Sequence, residues 1–178
     1  MKTTTIHTLF FTLLVLFFAG CDSNDPEEID DIAGTFEIEI SGDINQTISG
    51  IQAAFGAGTN SQTGVSGFGL SMGATNGTAA QSISLVRQSD RPGTGNHAIA
   101  NFSLDTDPEE IANDLFIGTF STGSDVFYST GGTLNITSSS ENRLEGSINM
   151  TAQSILGDMA QITIQGTFSA IGADITVQ

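Results

Sequence analysis

The 178-residue chain holds one cysteine, no tryptophan, one tyrosine, three prolines, two histidines and only four lysines and arginines. A lone cysteine excludes an intrachain disulfide. His7 lies in the N-terminal apolar segment, so His97 is the only other histidine. Transition-metal centres want several His or Cys ligands, which are missing. The basic residues are Lys2, Arg87, Arg91 and Arg143, against 20 acids. A chain so poor in cations repels phosphate backbones, which excludes nucleic-acid binding. No G-x-x-x-x-G-K-[ST] loop occurs, so glycine-rich pieces such as "GTNSQTG" are not phosphate cradles. No G-x-S-x-G elbow supports a serine nucleophile. No cofactor is implied. The only long apolar run, Leu9 to Phe18, is broken once by Thr12. A membrane-crossing helix needs about 20 residues, so this run is too short.

That run, behind the positive charge of Lys2, has the length of a signal-peptide core. It ends in Phe18-Ala19-Gly20-Cys21, which resembles the lipobox of bacterial lipoproteins. The resemblance implies a signal peptide over residues 1–20, cleavage before Cys21, and lipidation of the Cys21 sulfur and new amino group. Each buried methylene contributes about 0.8 kcal/mol, so two or three acyl chains would anchor the chain to a membrane. From Cys21 onward three arginines face all 20 acids, a net charge of −17. Such an acidic, lysine-free composition resembles proteins of salt-loving bacteria, where salt screens self-repulsion.

Residues 22–31, DSNDPEEIDD, carry six acids and no base. They extend an acidic flexible tether over 21–32. The run resembles the export signal of surface lipoproteins in Bacteroidota-type bacteria, whereas Asp22 alone would favour inner-membrane retention in enteric bacteria. The longer run sets the expectation: an outer-membrane, lipid-anchored protein on the periplasmic or cell-surface face.

Beyond the tether, short alternating runs take over. Phe36, Ile38 and Ile40 share one face, as do Phe68, Leu70 and Met72; Ile83 and Leu85; and Ala98, Ala100, Phe102 and Leu104. Leu144, Ile148 and Met150 form another such set, and Ala160, Ile162, Ile164 and Phe168 the last. Period-two patterning marks strands with one dry and one wet face, as in antiparallel sheets. Turn chemistry punctuates them at "SGDIN", "TNGT", "SDRPGTGN", "STGSD" and "SSSEN". Gly146 and Gly166, inside strands, predict bulges or bends. The pattern predicts a single all-β domain over 33–178, an antiparallel β-sandwich of about nine strands, with a closed antiparallel β-barrel as the alternative. The Gly/Ser/Thr/Asn-rich stretch 49–69 reads as a long hairpin tip or a protected sheet edge, and as the favoured place for a ligand loop.

"DPEEI" occurs at 25–29 and again at 107–111. Similarity stops after a shared GTF, so duplication is rejected. In the second copy Asp107 caps, Pro108 suits the first turn, and Glu109 and Glu110 favour a helix N-terminus, which predicts a short helix near 107–114. Asp105, Asp107, Glu109 and Glu110 are also weak calcium candidates as oxygen ligands. EF-hand spacing fails for them, because Glu110 and Phe116 occupy the glycine and glutamate positions, so no metal site is assigned.

His97, at a turn end, reads as structural. Glu37 and Glu39 read as solvated surface on one strand, since no carboxylate pair can be placed across a cleft from sequence. Phe127 and Tyr128 suit a core more than a sugar platform. The sequons at Asn45, Asn76, Asn101, Asn135 and Asn149 reflect an Asn/Ser/Thr-rich chain.

Residues 91–171 then show an order of motifs similar to a group of uncharacterised Bacteroidota lipoproteins. Gly132, Thr133, Leu134, Ile136 and Thr137 match one strand motif, Gly146 and Ile148 the next, and Ile162, Thr163, Gly166 and Phe168 the last. "SINMTA" departs from that pattern, where the group has an aromatic strand. The resemblance implies a β-rich lipoprotein and names no active site. The function expected is a non-catalytic, membrane-anchored lipoprotein, held through Cys21, with a binding or structural role toward an envelope protein or glycan. The alternatives are a carboxylate-dependent hydrolase, or a carrier of a small apolar ligand if the domain is a hollow barrel.

Overall fold

A computed structural model describes residues 33–59, 64–76, 79–102, 111–155 and 159–173. Ten strands are described: β1 Thr35–Gly42, β2 Gln46–Gly50, β3 Gln52–Thr59, β4 Ser66–Asn76, β5 Ala79–Arg87, β6 Gly95–Ile99, β7 Ile117–Ser121, β8 Val126–Ser140, β9 Arg143–Ser154 and β10 Gln161–Gly172. Cys21 and the acidic tether lie outside the described residues.

The predicted sandwich is not what forms. Strands β3, β4, β5, β7, β8, β9 and β10 pair in sequence around a ring, and β10 returns to β3. The result is a closed seven-stranded barrel with β1, β2 and β6 as additional strands. Alternation reports which face of a strand is dry; it carries no information on whether a sheet closes. Closure depends on a short parallel contact, Ile171 with Ala54 and Gly172 with Phe55. The Ala173 amide extends it by donating to the Phe55 carbonyl at 2.7 Å.

Two strands fork, and the forks make room for the additional strands. One edge of β10 pairs with β1 over residues 162–169 and with β3 over 171–172. Gly34 sits in this fork, where the Ala53 amide donates to its carbonyl at 3.1 Å. A Cβ at Gly34 would stand 1.8 Å from the Ala53 carbonyl oxygen, so no side chain fits there. One edge of β8 pairs with β7 through residues 126–128 and with β6 through 132–136. Ser129 lies between them, fully buried, at a break in β8 register before Gly131. Its hydroxyl donates to the Ala100 carbonyl at 2.9 Å and accepts the Gly118 amide at 3.1 Å. Ser129→Ala leaves both backbone groups dry and unpaired, at a cost of about 2–4 kcal/mol. Urea unfolding of the variant beside wild type checks this; an unchanged midpoint would contradict it.

The inward faces fill the barrel. Phe116, Phe120, Phe127, Leu85, Leu134 and Met72 are all buried to within 1% of completely. Small barrels of this strand number are filled by side chains. The outward faces carry Ser, Thr, Asn, Gln and a few Glu, the reverse of a membrane-spanning barrel. Among the described residues no helix is long and apolar enough to cross a membrane.

Several local expectations change. Stretch 49–69 is mostly strand: it completes β2, forms the barrel strand β3 and enters β4 at Ser66, and Ala53 and Phe55 are core residues. Ala98, Ala100 and Phe102 do not share a strand face: β6 ends at Ile99, which is buried, and Ala98 is exposed; Leu104 lies outside the described residues. The first half of the predicted helix near 107–114, residues 107–110, falls outside the described residues. Its last residues, 111–114, form a turn in which the Leu115 amide donates to the Ala112 carbonyl at 3.0 Å. The bulges lie in β8, between Ser129 and Gly131 and between Ile136 and Ser138; Gly146, paired with Ile136, stands opposite the second of them, and Gly166 is at none. Both glycines allow close strand approach. A Cβ at Gly146 would be 2.1 Å from the Asn135 carbonyl oxygen.

Candidate functional site

The outer wall of β2, β1, β10 and β9 holds a groove of about 570 Å³, lined by Thr35, Glu37, Ser49, Glu145, Thr167 and Ser169 over the edges of Phe36 and Phe168. Strand register builds it. Glu37 lies between Ser49 on β2 and Thr167 on β10, and Ser169 lies between Thr35 on β1 and Glu145 on β9. A second hollow continues past Glu37 to Glu39, Thr47 and Gln165. Two strands, β1 and β9, thus bring Glu37 and Glu145 to one polar groove. The Glu145 end is ordered by Arg143, whose Nη1 donates to the Ser169 hydroxyl at 2.7 Å; that hydroxyl donates to Glu145 Oε1 at 3.3 Å. The arrangement offers carboxylate and hydroxyl oxygens to ligand O–H groups, and hydroxyl donors in return.

Sequence reasoning placed Glu37 and Glu39 on the wet face, and they are there. It missed Glu145 as their companion. The signal lay in pairing: only the β1–β10–β9 register brings residues 37 and 145 to one surface.

The three arginines gather at one end of the barrel and act on structure. Arg91 lies 4.2 Å over the Phe55 ring. Its Nη1 donates to the Glu141 carbonyl at 3.1 Å, and its Nη2 to the carbonyls of Ser140 and Arg143. This ties the β5–β6 connection to the tip of the β8–β9 hairpin. Arg87 lies over Phe116 and donates to the Asp90 carbonyl. Burial lowers the pKa of both guanidinium groups, opposed at Arg87 by Asp114 and Asp90.

His97 Nε2 lies 2.8 Å from the Gly93 carbonyl and its ring meets Phe116 edge-on. Phe127 is core, its ring tilted by 37° against Phe120, whereas Tyr128 is on the outer wall beside Phe102, with ring centroids 5.0 Å apart. Asp105, Asp107, Glu109 and Glu110 lie outside the described residues. Among the described residues no three His, Cys, Asp or Glu side chains gather in a metal-holding group.

Compared with family models, curated proteins and solved structures, the chain matches none.

Proposed function

We propose that the chain is a lipid-anchored envelope protein whose barrel binds a polyhydroxylated ligand, a glycan, in the Glu37–Glu145 groove. The observation that carries this is the groove itself: two carboxylates among four hydroxyls on the outer wall of a filled barrel. Sugar hydroxyls both donate and accept, which such a lining answers. The anchor rests on the lipobox resemblance at Cys21. Mass spectrometry of the native protein is expected to find a cleaved leader and a diacylglyceryl group there; a free thiol would remove the anchor.

Calorimetric titration of the detergent-extracted protein with neutral disaccharides tests the groove. Glu37→Gln and Glu145→Gln are each expected to weaken binding about tenfold, as for loss of a charge-assisted hydrogen bond. Unchanged affinity in both variants would contradict the groove as the site.

A second reading is favoured by the same two carboxylates. Glycoside hydrolysis needs a pair of them across one cleft, and Glu37 and Glu145 line one groove. Release of reducing ends from a neutral glycan, lost in Glu145→Gln, would select it over binding alone. The apolar carrier shares the closed barrel but needs an interior that Phe116, Phe120 and Phe127 occupy.

A further inference from the structure

We infer that the outer wall of β8, β9, β10 and β1 is a linear track for an extended neutral polysaccharide, running from Tyr128 to the Glu37–Glu145 groove. This rests on the glycan reading above and adds the ligand's length, its charge class and a second contact point.

The register lays out the track. Tyr128 pairs with Gln153, and Gln153 with Gln161. Eight residues back along β9, Glu145 pairs with Ser169, and Ser169 with Thr35 at the groove. At about 3.4 Å per residue the two ends stand about 27 Å apart. Between them β9 presents Ser147, Asn149 and Thr151, and β10 presents Thr163, Gln165 and Thr167, each pair side by side. None of the six is charged, in a chain with 20 acids.

The side chains on the track already bond to one another. Gln165 Nε2 donates to Asn149 Oδ1 at 3.3 Å, and Thr130 donates to Thr151 between hydroxyls at 2.9 Å. Each amide keeps further donor and acceptor capacity after one such bond. Repeating donors and acceptors about 7 Å apart along a strand suit a polymer of hydroxyls. At the far end the half-buried Tyr128 and Phe102 rings, tilted by 34°, offer an apolar surface with a polar tip to the C–H face of a pyranose.

Two comparisons within the barrel sharpen the choice. The wall formed by β3 and β4 carries Gly58, Gly67, Gly69 and Gly73 on its outward face, so only Gln52 and Ser71 offer exposed polar side chains among them, against six in two side-by-side rows on β9 and β10. The chain's net charge of −16 repels anionic polymers, which leaves neutral ones.

Affinity electrophoresis and calorimetry of the detergent-extracted protein test the track. The probes are soluble β-1,3-glucan, β-1,4-mannan and dextran, their oligosaccharides from two sugars upward, and alginate as the anionic control. At least one neutral polymer is expected to bind, alginate is not, and affinity should climb with length until the chain fills about 27 Å, roughly five sugars. Tyr128→Ala should lower polymer affinity at least tenfold and leave disaccharide binding at the groove unchanged; Tyr128→Phe should retain polymer binding. Because Tyr128 packs on Phe102, Asn149→Asp, away from the groove lining, serves as a second variant, expected to weaken the polymer alone. Affinity independent of length, or polymer binding unmoved by both variants, overturns the track while leaving the groove. Failure of every neutral saccharide, disaccharides included, overturns both, and so does a preference for alginate.

Discussion

Gly166→Val is expected to break the seam between β1 and β10 and to destabilise the fold severely. Gly166 faces inward on β10 opposite Ile38 of β1. A Cβ there would stand 2.1 Å from the Glu37 carbonyl oxygen and 2.7 Å from Ile38 Cα. These are backbone atoms of a paired strand, so no rotamer change relieves the clash. Either β1 leaves β10 or β10 leaves its register, and both expose Ile38, Ile40 and Ile164, which are buried to within 1%. The cost is about 4 kcal/mol or more, against a whole-domain stability of about 5–15 kcal/mol. Gly67→Ala is the control: the nearest atom to its added Cβ is 3.9 Å away. It should change stability by about 0.5 kcal/mol at most. Urea melts followed by circular dichroism read both. A cooperative Gly166→Val melt at the wild-type midpoint would mean β1 does not lie where it is described.

Phe116→Ala has the second largest effect, about 3–5 kcal/mol. Phe116 is fully buried just before β7. Its ring meets Phe68 at 6.1 Å and His97 at 6.2 Å, both edge-on, with Arg87 5.2 Å from its centroid. Its backbone bridges to the end of β6: its amide donates to the Ala98 carbonyl at 3.0 Å, and its carbonyl accepts the Ala100 amide at 2.7 Å. Truncation removes the ring that joins β4, β6 and the β7 entry, while the neighbouring backbone can collapse only in part. A melting temperature lower by about 10 °C or more is expected. Phe116→Leu, closer in volume, should lose less than half of that. A Phe116→Ala melt within 2 °C of wild type would show that the ring is not in the core.

The strands were legible where apolar and polar side chains alternate. Phe36, Ile38 and Ile40, or Ile162, Ile164 and Phe168, declare both strand and dry face without help. The stretch 49–59 did not, because Ala53, Phe55 and Gly56 sit in a glycine-rich segment whose composition resembles a loop. Losing that strand meant losing the closure, since β3 is the partner that β10 reaches. The site shows the same division. Glu37 and Glu39 could be assigned to the wet face from period two alone. Their grouping with Glu145 needed the pairing of β10 with both β1 and β9. Tyr128 needed the same information, because a half-buried aromatic in a strand carries no mark of which surface it joins.

Closure at the β3–β10 contact is tested most directly by NMR. The expected result is cross-strand contacts between Ala54 and Ile171, and an Ala173 amide, bonded to the Phe55 carbonyl, protected from exchange about 100-fold or more. An Ala173 amide exchanging at the rate of an unstructured peptide, with no contact between residues 54 and 171, would describe an open sheet and contradict the barrel.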